Sequence, residues 1–222
     1  MRKQVCVLCG IREASRKGDH IPPQSLYPKP RKPNMELHKV PACQQCNNSA
    51  GVDDEEFKII IGLTTGEFRS NGLDIVDSMG RTIAFNKRLA RQIFSTQQRG
   101  YADRGTGFLE PVVAVSFTSK AYQNVIGRMV RALYWREERR IMHPSTVVQV
   151  TPATELSQDV ATSSNSLMQV LQPNFLNDKT FAYKYVIEHD GSSIWGMQFF
   201  GKHTAFACTE PNEHNKSRKP DA

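Results

Sequence analysis

The sequence predicts an α+β chain, a small N-terminal module followed by a larger α+β domain with antiparallel strands. Three observations predict it. Two Cys-x-x-Cys pairs, Cys6/Cys9 and Cys43/Cys46, frame a Pro- and Lys/Arg-rich segment with too little apolar pattern to build a core of its own. In "SKAYQNVIGRMVRALYWREERR", Tyr122, Val125, Ile126, Met129 and Leu133 recur at helical spacing on one face, with Arg128 and Arg131 on the far side. "TFAYKYVIEHD", "SSIWGMQFF" and "KHTAFACT" alternate as successive antiparallel strands, with a turn at "DGSS". The 222 residues divide accordingly into 1–57, 58–210 and a polar tail, 211–222.

The other elements follow from local signals. "LYPKPRKPN" reads as an exposed loop of polyproline character. "DDEEFKIIIG" reads as a helix start, with Asp53 as N-cap and Glu56 as its reciprocal partner three residues on. "NKRLARQIFSTQQ" predicts a basic helix, "YADRGTGFLEP" a loop and "PVVAVSF" a short strand. "TVVQVT" predicts a strand and "TELSQDVA" a short helix. Tyr134 and Trp135 read as core or interface aromatics, and His143, His189 and His203 as structural or surface residues.

A formal net charge of +7 is spread unevenly. Residues 1–41 carry nine Lys/Arg against three Asp/Glu, residues 42–85 three against seven, and residues 86–140 eleven against four. Two basic regions separated by an acidic one suggest a polyanionic partner. No apolar run approaches the length of a membrane span, and "MRKQVCVLCG" lacks the apolar stretch of a secretory signal. The expectation is a soluble, cytoplasmic protein, where thiols stay reduced and paired cysteines point to metal before disulfide.

A two-residue gap lets both sulfurs of a pair turn toward one ion, so Cys6, Cys9, Cys43 and Cys46 predict a structural Zn²⁺ site with no open position for water. Cys208, in "HTAFACTE", is assigned no role. The 33 residues between the pairs exceed what a minimal zinc ribbon needs, and they hold "DHIPP", Asp19 to Pro23.

"CVLC … DHIPP … HKVPACQQCNNSAG" resembles the zinc-stabilised HNH endonucleases, with their ββα-metal core. The resemblance covers about residues 5–52. It implies that His20 is the general base, that Asp19 and Asn47 are ligands of a catalytic divalent metal, Mg²⁺ or Mn²⁺, and that double-stranded DNA is the substrate. It further points to antiphage defence or a mobile element. Elementary chemistry agrees: phosphodiester hydrolysis needs a base near neutral pH and a hard cation on oxygen ligands.

Two positions depart from the family pattern. His38 stands where the family has Asn, with roles open between orienting the loop, assisting at the phosphate and facing solvent. "NSAG" lacks the lysine that family members carry after the last cysteine, leaving phosphate contact to Lys17, Lys39, Arg128 or Arg131. A non-catalytic zinc module binding nucleic acid or protein remains the alternative. The C-terminal domain is the expected seat of a protein partner or homo-oligomer contact.

Overall fold

The computed structural model describes residues 4–27, 31, 35–65, 73–103, 105–117 and 119–210. Most of the proline-rich loop and all of the tail lie outside the described residues, although Leu26 and Tyr27, at the start of that loop, are buried rather than exposed.

The chain opens with two short antiparallel strands, β1 (Asp19–His20) and β2 (Lys39–Val40), in the register Asp19↔Val40 and His20↔Lys39. Helices α1 (Gln44–Ser49) and α2 (Gly51–Thr65) follow almost without a break. Asp53 therefore sits inside the first turn of α2 and does not cap it, because the helix already begins at Gly51, after the single turn residue Ala50. Its carboxylate instead accepts a bond from Asn124 Nδ2 at 2.8 Å.

Next come α3 (Leu73–Phe85) and α4 (Lys87–Ser95). Asn86 caps α4, accepting the Leu89 N–H at 3.2 Å, and donates to Glu55 Oε2 at 2.8 Å. Leu89 and Ile93 pack with Ile59 in a small satellite core.

The segment read as a loop is half strand. β3 (Gln98–Asp103) and β4 (Leu109–Ala114) form a hairpin, and only its tip is irregular. Asp103 Oδ1 accepts the N–H groups of Gly105, Thr106 and Gly107, which shapes the tip. Gly-rich tip residues dominated the local signal and masked the pairing on either side.

The long helix α5 (Ser119–Glu138) presents its predicted apolar face inward, with Val125, Ile126 and Leu133 at 0% exposure. β5 (Val147–Pro152) follows. α6 (Gln158–Val170) runs a full turn and more beyond the short helix expected, as Thr162 and Ser166 hydroxyls donate back to the carbonyls of Gln158 and Thr162. β6 (Asn174–Leu176), β7 (Phe181–Ile187), β8 (Ser193–Phe199) and β9 (His203–Glu210) complete an antiparallel sheet in the order β5-β9-β8-β7-β6.

The main core is continuous from Cys6, Val7 and Leu8 through the α5 face to Trp195, Phe199 and Ala207 on the sheet. Tyr183, Trp195, Phe181 and Phe199 stack and tilt against one another at ring separations of 5.0–6.4 Å. Aromatics of this size supply a large share of apolar burial, each worth roughly 2–3 kcal/mol. Residue 57, where the sequence suggests a boundary, lies within α2, and Phe57 is itself in the main core. Among the described residues no helix is long and apolar enough to cross a membrane.

Candidate functional site

The four cysteines converge. The ligand atoms of Cys6, Cys9, Cys43 and Cys46 all lie within 4.8 Å of one another, and all four thiols are free. A tetrahedral Zn²⁺ with Zn–S bonds of about 2.3 Å places its sulfurs roughly 3.8 Å apart, so the group can hold a zinc-like metal. Backbone bonds set the two knuckles: Gly10 N–H to Cys6 O at 2.8 Å, Val7 N–H to Pro41 O at 3.0 Å and Ser15 N–H to Ala42 O at 2.8 Å. Cys43 caps α1, its Sγ accepting the Cys46 N–H at 3.4 Å. Burial opposes ionisation of Cys9, but N–H groups of Arg12 and Ile11 outweigh it and bring the thiol down to about 7. The Cys46 N–H also lowers Cys43 against burial, whereas burial, with the neighbouring sulfurs, raises Cys6 and Cys46, so without an ion the four thiols do not ionise together.

β1 lies between the two knuckles. It is entered through Gly18 at φ +62°, where a Cβ would stand 2.6 Å from the Val40 carbonyl oxygen, so only glycine lets the strands approach. Asp19 and His20 then alternate in direction, as neighbours on a strand must. Asp19 turns inward and is 8% exposed, while His20 is half-buried. Burial, reinforced by Lys39 and Arg31, holds the His20 imidazole below its ordinary pKa, in the neutral form a general base requires.

Asp19 is not a bare carboxylate. Its Oδ1 accepts the His20 N–H at 2.8 Å, and its Oδ2 accepts Arg128 Nη1 at 3.1 Å. Arg128 Nη2 reaches Asp54 on α2, so one guanidinium bridges two carboxylates from different elements. Burial raises both acids, Asp54 to about 6, with Arg128 pulling each back. The Nε of Arg128 is buried without a partner. Asp19, His20 and Arg128 line one narrow cavity together with apolar residues such as Leu8, Val125 and Met129.

Asp54 stands in the first turn of α2, where an acid needs no partner beyond the helix end. Its pairing was hidden because the partner is 74 residues away.

Several predicted residues are placed differently from expectation. Arg128 and Arg131 do not face away from the core side as free phosphate contacts. Arg128 closes the bridge just described, and Arg131 donates to the carbonyls of His143, Pro144 and Thr146 at 2.7–3.3 Å. Lys17 and Lys39 are exposed, Lys39 directly across from His20. Asn47 lies inside α1, half-buried, with its N–H on Cys43 O at 3.1 Å.

His38 is half-buried and held by a side chain rather than facing solvent. Arg136 Nη1 lies 3.0 and 2.9 Å from its two ring nitrogens, and burial together with Arg136 keeps the ring neutral. His203 is structural, as expected, with Nε2 2.7 Å from the Tyr122 hydroxyl.

One site residue gave no sequence signal. Asn177, 5% exposed and at φ +52°, accepts the His38 N–H at 3.0 Å and donates to the Ile21 carbonyl at 3.3 Å. It ties the exit of β1 to the entry of β2 from a turn of the C-terminal sheet.

The donor chemistry of Asp19 and Asn47 suits a hard cation. As arranged, however, Arg128 holds Asp19 Oδ2, and among the described residues no hydrogen bond joins Asn47 to Asp19. A divalent ion on Asp19 would therefore have to displace Arg128 from Oδ2. Comparison with protein-family models, curated proteins and solved structures returns no match to this chain.

Proposed function

We propose that this protein is an endonuclease of the HNH type, hydrolysing phosphodiester bonds in double-stranded DNA with His20 as general base. The observation that carries the proposal is the setting of His20. It is a neutral, half-buried imidazole on the first of two paired strands, locked between two cysteine knuckles and followed by a helix that begins at a cysteine. The strand–strand–helix order supports the ββα reading, and the free thiols support a structural Zn²⁺ that holds the loop rigid.

His20 takes a proton from water, and the burial that keeps it neutral makes it available to do so near pH 7. Arg136 and Asn177 hold His38 and thereby the strand opposite the base. The family's Mg²⁺ or Mn²⁺ belongs to this proposal as an expectation, with Asp19 and Asn47 as its donors. It requires Arg128 to release the oxygen it now occupies.

The bridge favours a second reading, a non-catalytic zinc module in which Asp19 is structural, since an aspartate neutralised by arginine needs no metal. Plasmid cleavage by wild type and His20→Ala, each with Mg²⁺, Mn²⁺ or chelator, separates the two. The endonuclease reading expects His20→Ala to lose a factor of roughly 10²–10⁴. No cleavage by wild type under any condition leaves the binding module standing. Cleavage that persists when divalent ions other than the bound zinc are withdrawn removes the second metal.

A further inference from the structure

The side chains expected to meet DNA on α5 are committed elsewhere, while another surface offers unpaired cations. On α4, Lys87, Arg88, Arg91 and Phe94 share one exposed face, opposite the buried Leu89 and Ile93. Arg99, early in β3, is exposed as well. Among the described residues, no ion pair or hydrogen bond engages the side chains of Lys87, Arg88, Arg91 or Arg99.

The hairpin that follows is unusual in being uncovered. Among the described residues β3 and β4 pair only with each other, and nearly every residue of both is exposed, Tyr101 at 74%. A two-stranded ribbon has little stability of its own in water. At about 3.3 Å per residue its six paired positions extend about 20 Å, and Thr96 Oγ1 donates to Ser116 O at 3.2 Å at its base.

We propose that α4 and the β3–β4 ribbon form a docking arm for duplex DNA, with Lys87, Arg88, Arg91 and Arg99 on the phosphate backbone and the ribbon in the major groove. Charge complementarity selects this occupant. Residues 86–117 hold five Lys/Arg against Asp103 and Glu110, and the Asp103 carboxylate is turned onto the loop tip. The major groove is wide enough for a two-stranded ribbon. The arm is also wired to the candidate site: Asn86, which caps α4, bonds Glu55, the neighbour of the Asp54 that Arg128 joins to Asp19. The proposal rests on the endonuclease reading for the identity of the substrate.

The test is the salt dependence of binding to a fluorescent 30-base-pair duplex by the full chain, wild type against Lys87→Gln/Arg88→Gln/Arg91→Gln and, separately, Arg99→Gln. All four positions are exposed, so both variants keep the fold, which their melting temperatures check. Each lost phosphate contact lowers the slope of log K against log salt by about 0.9. The expected reductions are therefore about 2.7 for the triple variant and about 0.9 for the single one. Unchanged slopes overturn the arm, as does tighter binding of the matching single strand. A wild-type dimer that dissociates on Phe94→Ser, with the duplex slope unchanged, overturns it in favour of self-association. Slopes that fall as expected while wild type cuts nothing leave the arm standing and remove the nuclease. Cleavage that depends on His20 with unchanged slopes does the reverse.

Discussion

Asn177→Ala removes the residue that ties the C-terminal sheet to the strands around His20. The side chain makes two bonds, from His38 N–H at 3.0 Å and to the Ile21 carbonyl at 3.3 Å, and is 5% exposed. Each is worth about 1 kcal/mol net, and the backbone groups left behind have little water to replace it. Alanine at φ +52° costs about 1 kcal/mol more, since the left-handed region tolerates asparagine better than alanine. The sum is about 3 kcal/mol. For a chain of this size that lowers the melting temperature by roughly 6–12 °C. Asn177→Gly relieves the backbone cost and isolates the two bonds, at about 2 kcal/mol. Thermal melts of both variants give the magnitudes, and amide exchange at His38 gives the location, because its N–H loses its acceptor. Zinc content remains at the wild-type value. Melting temperatures within about 2 °C of wild type for both variants, with His38 still protected, refute the clamp.

Two other outcomes follow from the same structure. Purified protein carries about one Zn²⁺ per chain by elemental analysis, and stripping it lowers the melting temperature of the whole chain, because Cys6 and Cys43 belong to the continuous core. A zinc-free preparation that melts as the wild type does contradicts the site. His203 titrates at about 4 in the fold, lowered from 6.5 by burial, so the unfolded chain binds its proton first as pH falls. The stability it contributes is present above about pH 6.5 and is lost toward pH 4, up to about 2 kcal/mol of it between pH 7 and pH 5. Urea midpoints at those two pH values move less in His203→Gln than in wild type, and equal movement refutes the assignment.

Short-range chemistry alone determined much of this protein. The Cys-x-x-Cys gaps place sulfurs in knuckles because two residues suffice to turn a chain around an ion. The 3.6-residue period of Tyr122 to Leu133 places them on one face of α5, which the burial of Val125, Ile126 and Leu133 bears out. The two-residue alternation of the last three segments gives β7, β8 and β9 as antiparallel neighbours, with "DGSS" joining the first two. In each case the physical cause acts over a turn of helix or a pair of strands, and that is the range over which a sequence is directly legible.

The tertiary structure decided what lies across longer separations. Whether Arg128 meets solvent, phosphate or carboxylate depends on where α2 and β1 come to rest, and the fold brings Asp19 and Asp54 to it from 109 and 74 residues away. Asn177 is an ordinary turn residue until the sheet packs against the cysteine-framed segment and bonds it to the His38 N–H. The β3–β4 ribbon was obscured for the opposite reason. "PVVAVSF" marks the second half of β4, but β3 is almost wholly exposed, so the alternation that betrays a half-buried strand is absent there, and only its pairing with Leu109–Ala114 reveals it.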